Sequence, residues 1–400
     1  MSGEPRYEEY EGGEREEVYV KGVLDRLADA IIDGLAALID RVRPGWKVKN
    51  KSRIDEWKLM AYAFNRSPPG VIGAFLVLFF LLVAVLGPYL APLSYDAQLS
   101  FFDPNATRAP PLKVVEVPNN SLAKFLGIKP GRYVLIMGSD DQARDIFSRI
   151  LYGARTSLVV AILVMLVGPW IGIALGLVAG YYGGKVDELI MRITDIFLAF
   201  PGLILAMAFS AVLPPRISDF LRAHETVTSL LLKLFALKPQ HAGAMASLVS
   251  VIVALWIVWW PGYARLARGM TLSERENVYV EAARALGVPT RWILVRHIFP
   301  NIIGPLLVYL TLDVGAVILT EAGLSFLGLG AVPPIADWGR IIYDGSRYFP
   351  EDWWAIFFPG LAILLTVLGF NLIGDTLRDV LDPRTRRSIE FRLKEGGERG

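Results

Sequence analysis

Six long apolar runs, each almost free of charge, constrain this chain of 400 residues more than any other feature. They cover about 71–91, 158–181, 196–213, 246–264, 301–322 and 353–374. A hydrocarbon core about 30 Å thick needs about 20 apolar residues in a helix, so the runs predict an all-α membrane protein with six transmembrane helices. The chain is 54% hydrophobic, above the roughly 45–50% of soluble domains. A net charge of +2 argues against a nucleic-acid partner. The chain has no cysteine, and its three histidines (His224, His241, His297) lie too far apart to suggest a metal site. The first run begins too late for a cleaved signal and is expected to stay as an anchor.

Between the runs, residues 1–16 are acidic, Gly-rich and expected to be disordered. Residues 18–43 predict an amphipathic helix, with Val23, Leu24, Leu27, Ile31, Leu35, Leu38 and Ile39 on one side. It could pack on protein or lie in a membrane interface. A basic patch follows (Lys47, Lys49, Lys51, Arg53), closing a polar N-terminal extension over 1–69. The loop 92–157 carries two strand-like pieces, Val114–Val117 and Tyr133–Met137, and predicts a small subdomain. In the second run Gly172, Gly176 and Gly180 have the spacing that lets helices approach closely. A short charged link holds Lys185, Asp187, Glu188 and Arg192. Pro201-Gly202 interrupts the third run and predicts a kink. The connection 214–245 predicts a helical piece near Thr228–Ala236. Trp256, Trp259 and Trp260 are expected towards a membrane interface, with Arg265 and Arg268 as anchors beside it.

Six spans place both termini on one side. The segments on that side (1–69, 182–195, 265–300 and 377–400) hold roughly twice as much Lys plus Arg as the loops 92–157, 214–245 and 323–352, so the positive-inside rule predicts cytoplasmic termini.

The segment 265–300 lies on the same side. Its second half, EAARALGVPTRWILVRHIFP from Glu281 to Pro300, predicts two short helices broken at Gly287. Ser273 with Glu276 has a capping-box pattern. Val278, Ala282, Ala285 and Leu286 form a small-residue apolar face. Gly287 can adopt the left-handed backbone that stops a helix, and Pro289 suits a first turn. Pro300 is expected to end the segment. Such a face, flanked by Arg284 and Arg291, could lie in another protein's groove or fold back on its own membrane domain.

This segment resembles the EAA loop of permease subunits in binding-protein-dependent ABC importers. Glu281, Ala282, Ala283, Gly287, Ile298, Phe299 and Pro300 carry the likeness, with Phe299 where that family has Leu. Further phrases are similar to the C-type permease of dipeptide and oligopeptide importers: Asp145–Leu158, Gly176–Asp187, Phe200-Pro201-Gly202, Pro261–Arg265, Glu321–Gly330 and Gly374–Arg384. The likeness runs from about Val71 to Pro383. The N-terminal extension, the enlarged 214–245 connection and Ala143, where the family has Gly, depart from the pattern.

The resemblance implies the type I importer permease fold and a cytoplasmic coupling loop. It also implies four kinds of partner: a second permease subunit, two ATP-binding subunits, an extracytoplasmic solute-binding protein and the lipid bilayer. Glu281, Ala282, Ala283, Arg284 and Gly287 would transmit movement from the ATPase. Peptides would pass between the two permeases. Asp313, about 12 residues and on the order of 18 Å into the fifth run, could line that path or bond a neighbouring helix. Glu321, nearer the outer end, could line a gate or be solvated. No phosphate-binding loop and no catalytic constellation are visible, so no enzyme activity, cofactor or metal is expected in this chain. Oligosaccharides, nickel complexes or opines are alternative cargoes. A stand-alone ion-coupled carrier would require internal repeats and several intramembrane ligands, which the chain lacks.

Overall fold

The computed structural model describes residues 7–8, 16–17 and 22–381. The expectations for most of 1–21 and for 382–400, including the end of the basic tail, lie outside the described residues. The chain forms two compact units, Met1–Phe75 with Asn371–Gly400, and Leu76–Phe370.

The first unit holds α1 (Val23–Val42), a single turn (Trp46–Lys49), α2 (Lys51–Asn65), the start of α3 (Pro68–Leu90) and the end of α13 (Trp354–Leu381). α1 folds back on α2 through polar groups. Lys58 Nζ reaches Asp33 at 2.7 Å, and Asn65 Nδ2 donates to Asp25 at 3.0 Å. Gly70 sits against Thr376, where a Cβ would lie 2.7 Å from the threonine methyl. The Ser67 and Thr376 hydroxyls are 3.2 Å apart.

The second unit contains the rest of α3 and α13, a short helix at Ser121–Leu126, and α4 (Ile146–Tyr182), α5 (Gly184–Ala199), α6 (Gly202–Val212), α7 (Pro214–Ala223), α8 (Glu225–Leu234), α9 (Ala242–Glu274), α10 (Val278–Ala285), α11 (Phe299–Phe326) and α12 (Trp338–Ser346). Its centre is the α4–α9 seam. Gly172, Gly176 and Gly180 of α4 lie directly on the backbone or side chains of Trp260, Ala264 and Thr271 of α9. Without a Cβ the two helices approach closely enough for extended van der Waals contact.

Residues 93–143 have a core of their own. The strands Lys113–Val117 and Gly131–Leu135 pair antiparallel, and Leu99, Val115, Ala123 and Leu135 are fully or almost fully buried beneath them. The two strand-like pieces read from sequence are these strands, displaced by one or two residues.

Among the described residues, five helices are long and apolar enough to cross a membrane, or up to six if α5 and α6 count as one span. The protein is thus an all-α multi-pass membrane protein. Several boundaries differ from the sequence reading. The second helix begins at Ile146, not near 158, because Asp145 caps it by accepting the Ser148 N–H at 2.9 Å. Arg149, which concealed this start, is buried within a charge cluster. The fourth extends from Ala242 to Glu274 rather than 246–264, carrying Arg265 and Arg268 into helix. These arginines pair with Asp195 and Asp187 of α5 at 2.7 and 2.5 Å.

The third run is not a straight span over 196–213. α5 and α6 meet at 87°, with Phe200 extended (φ −88°, ψ 138°) before Pro201. The proline ring disfavours helical backbone at the preceding residue. The charged link expected before this span is itself helical, as most of α5. Finally, Trp256 and Trp259 spend their indole N–H groups within the protein. Trp256 Nε1 donates to the Leu163 carbonyl at 2.9 Å, and Trp259 bonds Asp313 inside the helix bundle.

Candidate coupling segment

α9 stops after Glu274, and the chain turns through Arg275–Asn277 into the short α10. The Ser273–Glu276 capping box does not form. Ser273 lies within the last turn of α9, and Asn277, in extended conformation, precedes α10. Arg275 instead caps a neighbouring helix, donating from Nη1 to the Gly180 carbonyl at 2.9 Å and the Tyr181 carbonyl at 3.4 Å. These are orphan carbonyls at the C-terminal end of α4, which a cation satisfies well.

Gly287 ends α10 in a left-handed conformation, φ +74°. Its N–H donates to Arg284 O at 3.0 Å, and the Val288 N–H donates to Ala283 O at 3.1 Å. This reciprocal pair is a Schellman motif, and it needs a residue that tolerates positive φ. The chain leaves the turn at Pro289, forms one turn at Thr290–Trp292 and continues as a π-helical stretch, Ile293–Ile298, into α11. Pro300 therefore lies in the first turn of α11 and does not end the segment. Here the helix runs through the proline without a break, and the N–H that Pro300 lacks leaves one rung of the ladder behind it unmade.

One side of α10 holds the segment to its own protein. Val280 and Ala283 are buried with Ile293 and Ile298. The Tyr279 hydroxyl donates to Glu274 and accepts from Asn301 Nδ2 at 2.7 Å. Burial, together with the bond to Glu274, raises the Tyr279 phenol above its ordinary value. The other side is bare. Val278 and Leu286 are 79% and 83% exposed, and Glu281, Ala282, Arg284 and Ala285 also face outward. Thus the apolar face read from spacing is an exposed one. Ala283, assigned with Ala282 to a docking contact, points inward at 6% exposure. It lies three residues after Val280 and so shares the inner face. The Arg284 guanidinium sits 5.6 Å from the centre of the Tyr181 ring.

Asp313 and Glu321 lie apart from this segment on α11. Trp259 Nε1 donates to Asp313 Oδ2 at 2.5 Å, and the Tyr263 hydroxyl donates to the same oxygen at 2.9 Å. The carboxyl thereby joins α9 to α11. Replacement by Asn keeps an acceptor, so Asp313→Asn is expected to retain folding and uptake. Asp313→Leu strands an indole N–H and a phenol and is expected to cost about 1–3 kcal/mol in thermal unfolding. Loss of cationic substrates alone in Asp313→Asn would instead assign the side chain to the translocation path. Glu321 is completely buried, not solvated. It lies beside Asp337 and accepts from Ser325 Oγ at 3.1 Å.

A buried charge cluster has no counterpart in the sequence reading. Arg144 and Arg149, each 1% exposed, face Asp140 and Asp344. Arg144 Nε reaches Asp140 at 2.7 Å, and its Nη2 reaches Asp344 at 3.2 Å. The cluster joins the start of α4 to α12. Asp344 lies 200 residues from Arg144, so no local pattern announces the cluster.

Comparison with known proteins accords with this architecture. Residues 172–387 match the family described as the binding-protein-dependent transport system inner membrane component. Residues 56–111 match the N-terminal TM domain of oligopeptide transport permease C. A glutathione transport system permease protein of Pectobacterium atrosepticum is 36% identical over 85% of this chain and 95% of its own. A probable D,D-dipeptide transport system permease protein of Escherichia coli K12 is 36% identical over 86% and 95%. A dipeptide transport system permease protein of Alkalihalophilus pseudofirmus is 35% identical over 83% and 91%. With helices of membrane-spanning length and sequence similarity extending over most of its length, the chain belongs to the inner-membrane permease family of binding-protein-dependent ABC importers.

Proposed function

We propose that this permease subunit translocates peptides delivered by an extracytoplasmic solute-binding protein. It pairs with a second permease, and two separate ATP-binding subunits drive the cycle. The cargo assignment rests on relatives whose names specify dipeptide, D,D-dipeptide and glutathione transport. The chain itself performs no catalysis in this reading.

The observation that carries the coupling role is the two-sided construction of α10. Its inner side is locked to α11 through Tyr279 and Asn301, while Glu281, Ala282 and Leu286 are presented outward beyond a fixed turn at Gly287. A partner gripping the outer side can therefore displace α11 through a short, rigid lever. Nucleotide acts by binding one arrangement of the ATP-binding subunits more tightly than the other, and the spans follow as packed bodies. The roles proposed for the outer side are contact at Glu281, Ala282 and Arg284, and turn geometry at Gly287. Both termini are assigned to the cytoplasm, in support of which stands the excess of Lys and Arg on that side.

Peptide uptake into reconstituted vesicles tests the assignment. Uptake is expected only when both permeases, the ATP-binding subunits, ATP and the loaded binding protein are present. Uptake by this chain alone along an ion gradient would overturn it in favour of a stand-alone carrier.

A further inference from the structure

The α1–α2 hairpin is built inside out for a water-facing element. A helical hairpin in water buries apolar stripes and exposes charge. Here the acids of α1 take the inner side: Asp25 is buried, Asp33 meets Lys58, and Asp40 accepts from the Lys47 backbone N–H at 2.8 Å. Leu24, Leu27, Ile31, Leu35, Leu38 and Val42 face outward, each between 51% and 77% exposed. Arg26 and Arg41 are the only charged residues among the exposed positions of α1. The turn that follows adds exposed Arg43, Lys47 and Lys49, and the start of α2 adds Lys51 and Arg53, with Asp55 the one exposed acid beside them. The outer surface is thus an apolar stripe bordered by positive charge, with every acid of α1 directed elsewhere.

The position of the hairpin in the chain indicates what covers that stripe. Only Arg66 and Ser67 separate α2 from α3, a helix of membrane-spanning length. Ser67 and Gly70 are fixed against Thr376 near the end of α13, another such helix. Two candidate spans therefore end together at this point, which marks a membrane surface. α2 is about 22 Å long, so α1 is held within that reach of the surface.

We propose that α1 lies in the interface of an anionic lipid bilayer, with the Leu24–Val42 stripe among the acyl chains and the flanking arginines and lysines on the headgroups. An apolar face rimmed by basic residues binds such a surface by combining hydrophobic burial with attraction to anionic lipid. Arg26 and Arg41 extend their heads to the polar layer while their stems stay beside the stripe. This placement is independent of the coupling role of α10. It assigns the N-terminal extension a lipid-sensing contact at the base of the first span.

Because the chain has no cysteine, single spin labels can be placed cleanly. The full-length permease carries Cys at Leu27, Leu35, Lys51 or Leu78 and is placed in nanodiscs of phosphatidylcholine alone or with phosphatidylglycerol. Leu78, exposed on α3, serves as the acyl-chain reference. In the anionic discs the labels at 27 and 35 are expected to gain collisions with oxygen and lose them with a water-soluble nickel complex, as at 78, while Lys51 keeps its nickel contact. The shift is expected to weaken in phosphatidylcholine and in an Arg41→Glu/Lys49→Glu variant. Nickel access at 27 and 35 in both disc types would overturn the proposal. Protection appearing only when the ATP-binding subunits are added, or only as permease concentration rises, would overturn it in favour of a protein partner. Equal protection in both lipids would remove the headgroup part.

Discussion

Gly287→Leu is expected to abolish ATP-driven uptake while leaving the permease inserted and folded. The position has open space around it, with no atom within 4 Å of where a Cβ would stand, so the defect is one of backbone and not of packing. At φ +74° a leucine costs roughly 1–2 kcal/mol relative to glycine. The chain relieves that strain by unwinding the turn, because the two hydrogen bonds from 287 and 288 are too few to hold it. Leu286 then loses its position at the tip, and in the proposed coupling the lever no longer meets an ATP-binding subunit in register. Gly287→Asn separates this cause from mere loss of glycine. Asparagine tolerates the left-handed region, so most uptake is expected to survive. The readouts are uptake rate, membrane insertion and the ATPase rate of the assembled importer. Full uptake in Gly287→Leu would remove the turn from the mechanism.

Gly176→Val is expected to have the largest effect on folding. A Cβ there would lie 2.4 Å from the Ala264 carbonyl oxygen and 2.8 Å from the Ala267 Cβ. The first obstacle is backbone, so no rotamer change can make room. α4 and α9 must separate along a seam that also includes Gly172 and Gly180, and Asp313 loses its alignment with Trp259. Overpacking of this kind costs about 3 kcal/mol. The expected result is a lower thermal midpoint in detergent and failure to assemble with the other subunits. Gly269→Ala, on α9 but with no atom within 4 Å of its Cβ, is the matched control. It should change stability by less than about 1 kcal/mol, because only helix propensity is altered.

The membrane-spanning helices were legible because burial in lipid demands about 20 successive apolar residues, a signal that needs no tertiary information. Their ends were not. Arg149, Arg265 and Arg268 look like boundaries in sequence, yet each lies within a helix and faces an acid distant in sequence, Asp344, Asp195 and Asp187 respectively. The glycine seam could be read from its four-residue spacing, but its partner, α9, could not. In the coupling segment, the stop at Gly287 and the outward apolar face follow from local rules. The inward turn of Ala283 and the path through Pro300 into α11 depend on where Tyr279 and Ile293 pack. Glu321 shows the same limit. A carboxylate near the end of a span reads as solvated until Asp337 and Ser325 are folded against it.

Site-directed cross-linking tests the central claim most directly. A single Cys at Ala282, on the outward side of α10, is compared with one at Phe125, which is 86% exposed in the small subdomain. Both are assayed in membranes containing the complete importer. The account predicts cross-linking of 282 to an ATP-binding subunit, altered by nucleotide, and none from 125. Absence of any cross-link at 282, in an inserted protein with its ATP-binding subunits present, would contradict it.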